Sequence, residues 1–117
     1  EAERYVTAAL KLEPDNGAYI DTLGWIYFKQ GKYKEALTHI QRAYELVKND
    51  AVVTDHLGDV FNALNDAPKA TFYWKQSFVL APDNKAVAAK LEAQGIRVEE
   101  VLKEGQKAGR PAAEGAK

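Results

Sequence analysis

The sequence repeats itself with a period of 34 residues, and this period limits the folds open to the chain. Leu23-Gly24 returns 34 positions later as Leu57-Gly58. Pro14-Asp15-Asn16 returns two periods later as Pro82-Asp83-Asn84, and Lys48-Asn49-Asp50 stands midway between them. A fixed period of this size is typical of one small supersecondary unit stacked on copies of itself. The functional question therefore becomes which face of the stack is presented to a partner.

Each repeat is predicted to be two antiparallel helices joined by a tight turn. Apolar residues recur at spacings of three and four on both sides of Gly31, and again on both sides of Asn65. Glycine and asparagine are the residues that most readily adopt the left-handed conformation at a helix end. Gly24 and Gly58 are expected to let neighbouring helices approach closely.

The period also divides the chain. Residues 1–16 are predicted to be the second helix of a partial upstream repeat, and 17–50 and 51–84 to be complete repeats. Residues 85–104 are expected to form a C-terminal capping helix or a degenerate repeat, and 105–117, rich in Gly, Ala, Lys and Glu, a flexible tail. The chain contains no methionine, so we expect a processed product or a fragment of a longer array.

Composition and motifs disfavour several functions. Sixteen Lys and Arg residues stand against 17 Asp and Glu, a balance that argues against a nucleic-acid surface. There is no run of about 18 apolar residues, so no direct membrane insertion is expected. There is no cysteine, no Gly-rich phosphate loop and no hydrolase or zinc-protease motif, so we predict neither an enzyme nor a cofactor. The compartment stays open between the cytoplasm and a bacterial envelope or periplasm.

With these residues in view, the chain resembles the tetratricopeptide repeat (TPR) family over about residues 1–94. The first repeat matches the family pattern at Leu23, Gly24, Tyr27, Gly31, Tyr33, Ala36, Ile40 and Ala43, and the second at Leu57, Gly58, Phe61, Ala70, Trp74 and Pro82. It departs at Ile20 and Thr54, where the family often has tryptophan, and at Lys48, in place of proline. The resemblance implies an all-α, right-handed superhelical solenoid of helix-turn-helix repeats. The sequence of residues 21–28 is similar to that of bacterial, often envelope-associated, members of the family.

The resemblance also implies that the first helices of successive repeats line a concave groove that holds a peptide. Helix geometry selects the candidates independently, because residues opposite the buried stripe recur at i, i+4 and i+7. The predicted partner-binding groove comprises Asp21, Trp25, Phe28 and Lys29 in the first repeat, and Asp55, His56, Asp59 and Asn62 in the second. Ala89 and Ala93, with Lys90 nearby, are the equivalents on the last helix.

The chemistry of this groove suggests a partner. Trp25 and Phe28 are large apolar side chains of the kind that anchor a bound protein. The three aspartates make the groove acidic and favour a basic or amphipathic protein or peptide. Some members of the family bind the C-terminal carboxylate of a partner through lysine and asparagine side chains. In this chain those places are taken by Asp21, Trp25, Asp55 and Asp59, which argues against a partner of that kind.

Other interpretations of the same residues stay open. Trp25 can pack on a neighbouring helix as ordinary core, and the aspartates can be solvated surface without a ligand. A metal site at Asp55, His56 and Asp59 is disfavoured, because adjacent helical residues point about 100° apart.

Function is therefore predicted to be that of a non-catalytic scaffold or adaptor that binds another protein through the groove. An alternative is structural self-association, a homo-oligomer formed through an exposed apolar side of the N-terminal helix at Tyr5, Val6, Ala9 and Leu10. A third interpretation makes the chain the end of a longer adaptor that binds nothing alone.

Overall fold

The computed structural model describes residues 1–105, and all their regular secondary structure is helical. The helices are α1 (Ala2–Leu12), α2 (Gly17–Lys29), α3 (Tyr33–Leu46), α4 (Ala51–Ala63), α5 (Ala67–Leu80) and α6 (Lys85–Ala93). A further helix, α7, begins at residue 98 and reaches residue 105. The predicted tail lies outside the described residues, apart from Gly105, which belongs to α7.

The 34-residue period fixes where the first helix of each hairpin begins. Asn16, Asp50 and Asn84 are one period apart, and each is an N-cap whose side chain accepts a backbone N–H. Asp50, for example, accepts from the amides of Val52 and Val53 at 2.9 and 3.1 Å. Such a cap satisfies donors that the first turn of a helix leaves free. The recurring tripeptides are therefore helix-start signals.

The ends of the same helices also share one motif. Gly31, Asn65 and Gly95 have φ angles of 79°, 65° and 78°. The amide of the residue after each one bonds back to a carbonyl five residues earlier, at 2.9 to 3.1 Å, which closes a Schellman turn. Gly95 comes four residues before the place that the period would give it, since 65 + 34 = 99. α6 consequently has 9 residues where α4 has 13, a difference of about one turn.

Small residues set the distance between the two helices of a hairpin. Ala36, Ala43 and Ala70 are fully buried on the second helices. A Cβ atom added at Gly24 would lie 2.6 Å from Ile40 Cγ1, and one at Gly58 would lie 2.4 Å from Trp74 Cδ1. Both distances are far shorter than a van der Waals contact, so these glycines are required for the close approach that the sequence predicts.

The hairpins stack in chain order. Each helix from α1 to α5 contacts the next one along the chain, and α2 also contacts α4. One core cluster runs through the stack, from Ile20 on α2 to Leu91 on α6 and Val101 on α7. The described residues extend over 43 × 36 × 22 Å. The all-α class and the stacking of helical repeats are confirmed, whereas the right-handed sense of the superhelix and the repeat boundaries stay predictions.

The N-terminal helix differs from the expectation made for it. Val6 is buried, and Ala9 and Leu10 are partly covered, because α1 packs on α2. Tyr5 and Leu12 are the large apolar side chains of α1 that face solvent, at 74% and 85% exposure. Of the expected four-residue apolar surface, Tyr5 is exposed, Ala9 and Leu10 are partly covered, and the expectation is wrong for Val6. No helix within residues 1–105 has the length and apolarity needed to cross a membrane.

Candidate functional site

The predicted groove residues lie on two neighbouring first helices. α2 carries Asp21, Trp25, Phe28 and Lys29, and α4 carries Asp55, His56, Asp59 and Asn62. Side chains of α4 in turn contact Lys90 of α6. We call the surface formed by α2, α4 and α6 the first-helix face. The structure brings most of the predicted residues together, but as two contact clusters between repeats.

The first cluster, junction 1, consists of Asp21, Trp25 and His56. The imidazole Nδ1 of His56 lies 3.0 Å from both carboxylate oxygens of Asp21. Because a carboxylate is only an acceptor, Nδ1 carries the proton of this bond. The Asp21 side chain is about 10% exposed and that of His56 about 18%, so the bond is largely shielded from water.

Trp25 lies in a stack of three rings. The imidazole of His56 is parallel to the indole within 14° at a centroid distance of 4.0 Å, and the ring of Phe28 within 11° at 4.5 Å. Two rings side by side on one indole face would need centres roughly 6 Å apart to avoid a clash. The measured distances leave less room than this, so His56 and Phe28 cover opposite faces. Trp25 is therefore half-buried between these two rings.

The second cluster, junction 2, consists of Asp55, Asp59 and Lys90. The ammonium of Lys90 donates to Asp55 at 2.8 Å and lies 2.9 Å from the nearer oxygen of Asp59. That same Asp59 oxygen accepts the indole N–H of Trp74 at 3.1 Å. The two carboxylates are 16% and 17% exposed. Asp59 therefore binds a buried indole and a cation together.

Burial and charge act in opposite directions at junction 2. Burial raises the pKa of the Asp59 carboxyl, and the Asp55 charge adds to the rise, although hydrogen bonds from Lys90 and Trp74 oppose it. Burial would lower the pKa of Lys90, but hydrogen bonds to both aspartates outweigh it, and the net pKa is raised. The lysine is therefore held in its charged form.

The aspartates are not solvated surface, because Asp21 is bound to His56 and the other two to Lys90. Their part in binding a partner stays a prediction. Trp25 packs on the neighbouring repeat, as the alternative interpretation expects: it is half-buried, stacks on His56 and lies against the core cluster. Lys29 and Asn62 remain exposed on this face, and Lys29 Nζ lies 5.4 Å from the indole centre of Trp25.

Two residues gain a role that the sequence analysis does not give them. The sequence places Lys90 only near the groove, whereas in the structure Lys90 binds both aspartates of junction 2. A signal for this exists, since Lys90 follows His56 by one period. Trp74, which in the sequence is only a match to the repeat pattern, is buried and donates its indole N–H to Asp59, and no spacing in the sequence indicates that bond. Within the described part of the chain, no three acidic or histidine side chains converge to hold a metal.

Comparison with known proteins agrees with this architecture. The tetratricopeptide repeat pattern matches residues 18–50. A TPR repeat-containing protein of Pseudomonas aeruginosa is 37% identical over 59 residues, which is 50% of this chain and 10% of that protein. The match thus spans about a tenth of the relative's length. Tetratricopeptide repeats generally mediate protein–protein interactions and are generally non-catalytic. The match at residues 18–50 and the likeness to this relative are consistent with the resemblance to tetratricopeptide repeat proteins that the sequence shows.

Proposed function

We propose that this chain is a non-catalytic adaptor that binds a protein segment on the first-helix face. The observation that carries the proposal is the stack of Phe28, Trp25 and His56, which is half-buried and spans two repeats. A rigid aromatic group of this kind loses little conformational entropy when a partner covers it, so it is suited to be an anchor. Exposed Lys29, whose ammonium lies 5.4 Å from the indole centre, offers a polar contact at the rim of the stack.

The charge of the face points to an amphipathic segment. Three aspartates and two lysines, Lys29 and Lys90, give a formal sum of −3 + 2 = −1 with neutral His56. Since the aspartates are already bound to groups of the protein, they attract a basic ligand less than their number suggests. The partner is therefore expected to contribute an apolar side chain to the stack and few charges.

Selection of peptides provides the test. A displayed library of random 15-residue peptides is selected on the immobilised protein, and enriched peptides are synthesised and titrated. Trp74→Phe removes the second tryptophan, so that fluorescence then reports Trp25 alone. We expect Phe28→Ala to weaken binding about tenfold or more, because it removes one ring of the stack.

Phe72→Ala is the matched control. Phe72 is also an aromatic residue on a helix, is 60% exposed, and lies on α5 outside the first-helix face. Its removal should leave the affinity unchanged, and circular dichroism should show the same helicity for both variants. Failure to enrich any peptide, or equal loss of affinity in Phe28→Ala and Phe72→Ala, would contradict the proposal.

Self-association is the second candidate function, and exposed Tyr5 and Leu12 favour it. Light scattering over a dilution series separates the two candidates. A monomer at all concentrations is expected for the adaptor. A dimer that dissociates in Tyr5→Ser with Leu12→Ser, but keeps its mass in Phe28→Ala, would instead support assembly through α1.

A further inference from the structure

The two junctions are built from equivalent positions of successive repeats. Counting from Gly17 and Ala51 as position 1, Asp21 and Asp55 are both position 5. Trp25 and Asp59 are both position 9, and His56 and Lys90 are both position 6 of the repeat that follows. In each junction, the side chain at position 6 lies against positions 5 and 9 of the preceding repeat.

The chemistry within each junction is matched. Positions 5 and 9 are one helical turn apart on the same side of their helix, so they form two sides of a receptor for one group. At junction 1 a carboxylate and an indole receive an imidazole, which is flat and donates one N–H. At junction 2 two carboxylates receive an ammonium, which donates several. Position 6 carries a nitrogen donor in both cases.

The pattern stops at both ends of the described stack. Position 6 of the first complete repeat is Thr22, whose hydroxyl donates to the carbonyl of Ala18 in its own helix. Positions 5 and 9 of the last unit are Ala89 and Ala93, which have no polar side chain to offer. A receptor and a donor are therefore paired at the two junctions between residues 17 and 93.

We propose that positions 5, 6 and 9 set the angle at which successive hairpins stack. A hairpin docks on the preceding one when its position 6 brings a nitrogen donor to the carboxylate at position 5. Through this angle the junction residues would also fix the spacing of α2, α4 and α6, and hence act as positioning residues for the face in the proposed function. We call this docking of position 6 on positions 5 and 9 the stacking rule. It does not depend on a partner, so its test uses the unliganded chain.

The sharpest test changes position 6 at junction 1 in two ways. His56→Lys keeps a nitrogen donor for Asp21 and places a cation near the Trp25 indole. His56→Leu keeps an apolar contact with the indole but leaves the shielded Asp21 carboxylate without its donor. We expect His56→Lys to keep the urea midpoint of unfolding, and His56→Leu to raise the unfolding equilibrium constant roughly tenfold or more.

The angle between hairpins needs its own measurement. The chain has no cysteine, so spin labels can be attached uniquely at Ala18→Cys and Ala86→Cys. Both positions are exposed, and both are position 2 of their repeats, on α2 and α6. The distance distribution between the labels, measured by pulsed electron paramagnetic resonance, is expected to be the same in His56→Lys and the parent chain, and broader or shifted in His56→Leu.

An exposed ion pair supplies the control. Arg42 binds Asp15 between α3 and the segment before α2, with 53% and 77% of the side chains exposed. Arg42→Leu removes this cation without touching either junction, and we expect no measurable change in midpoint or label distance. Equal behaviour of His56→Lys and His56→Leu in stability and distance would overturn the stacking rule, whatever the peptide selection gives. Loss of peptide binding with an intact stacking rule would instead count against the proposed function alone.

Discussion

Replacement of Gly58 by alanine tests how closely α4 and α5 approach. The added Cβ atom would lie 2.4 Å from Trp74 Cδ1 and 2.6 Å from Trp74 Nε1. The indole has little freedom to move away, because it is 3% exposed and its N–H is bonded to Asp59 at 3.1 Å. Either the helices separate or the indole leaves its hydrogen bond, and both changes cost free energy.

Two effects of opposite sign decide the magnitude. Overpacking of a filled core typically costs about 1–3 kcal/mol. Alanine in place of glycine inside a helix stabilises it by about 0.5–1 kcal/mol. The clash should win here because the contacting atoms belong to a rigid, pinned ring. We expect a net loss of about 1–2 kcal/mol, which lowers the urea midpoint by about 1 M for a slope near 1.5 kcal/mol/M.

Urea unfolding followed by circular dichroism measures this change. Asn62→Ala, at an exposed site of the same helix, is the control and should be neutral or slightly stabilising. In a Trp74→Val background the two closest atoms are gone, so Gly58→Ala should there be neutral or stabilising. The reasoning is refuted if Gly58→Ala stabilises the parent chain, or if its cost is the same in both backgrounds.

Three further perturbations test other contacts of the described structure. Because the pKa of Lys90 is raised, its contribution to stability is complete below about pH 10.5 and is lost as the pH rises through the folded-state value. Between pH 9 and pH 11.5 the urea midpoint should therefore fall further in the parent chain than in Lys90→Met. Asn84→Ala should cost about 1 kcal/mol and speed hydrogen exchange of the α6 amides, whereas Asp83→Ala should do neither. Asn65 has a φ of 65°, so Asn65→Gly should keep the thermal midpoint while Asn65→Val lowers it.

Local signals predicted the local structure well. The positive φ angles of Gly31 and Asn65 follow from residue types that readily adopt the left-handed conformation. The close approach at Gly24 and Gly58 is likewise confirmed, because a glycine among bulky apolar residues at helical spacing leaves room for one neighbour. Each of these inferences needs only residues within one hairpin.

The candidate site was harder to predict because its contacts join different hairpins. Asp21 and His56 are 35 residues apart, as are Asp55 and Lys90. A helical wheel places each of these residues on the outer side of its own helix, and that is correct for the isolated helix. It gives no information on what the next repeat brings to the same place. A face that is exposed on one hairpin therefore becomes half-buried once two hairpins stack.

The same period that hides these contacts also offers a way to find them. Contacts between successive repeats recur at a fixed offset, because stacking moves every hairpin by the same rotation and translation. An acidic residue at position 5 followed 35 residues later by a nitrogen donor occurs twice here, as Asp21 with His56 and as Asp55 with Lys90. Charges in a repeat protein should thus be added up only after such offset pairs are identified. The three aspartates that make the groove acidic in sequence are each paired with a group of the next repeat. In the proposed function we therefore expect recognition to depend mainly on the shape of the aromatic stack.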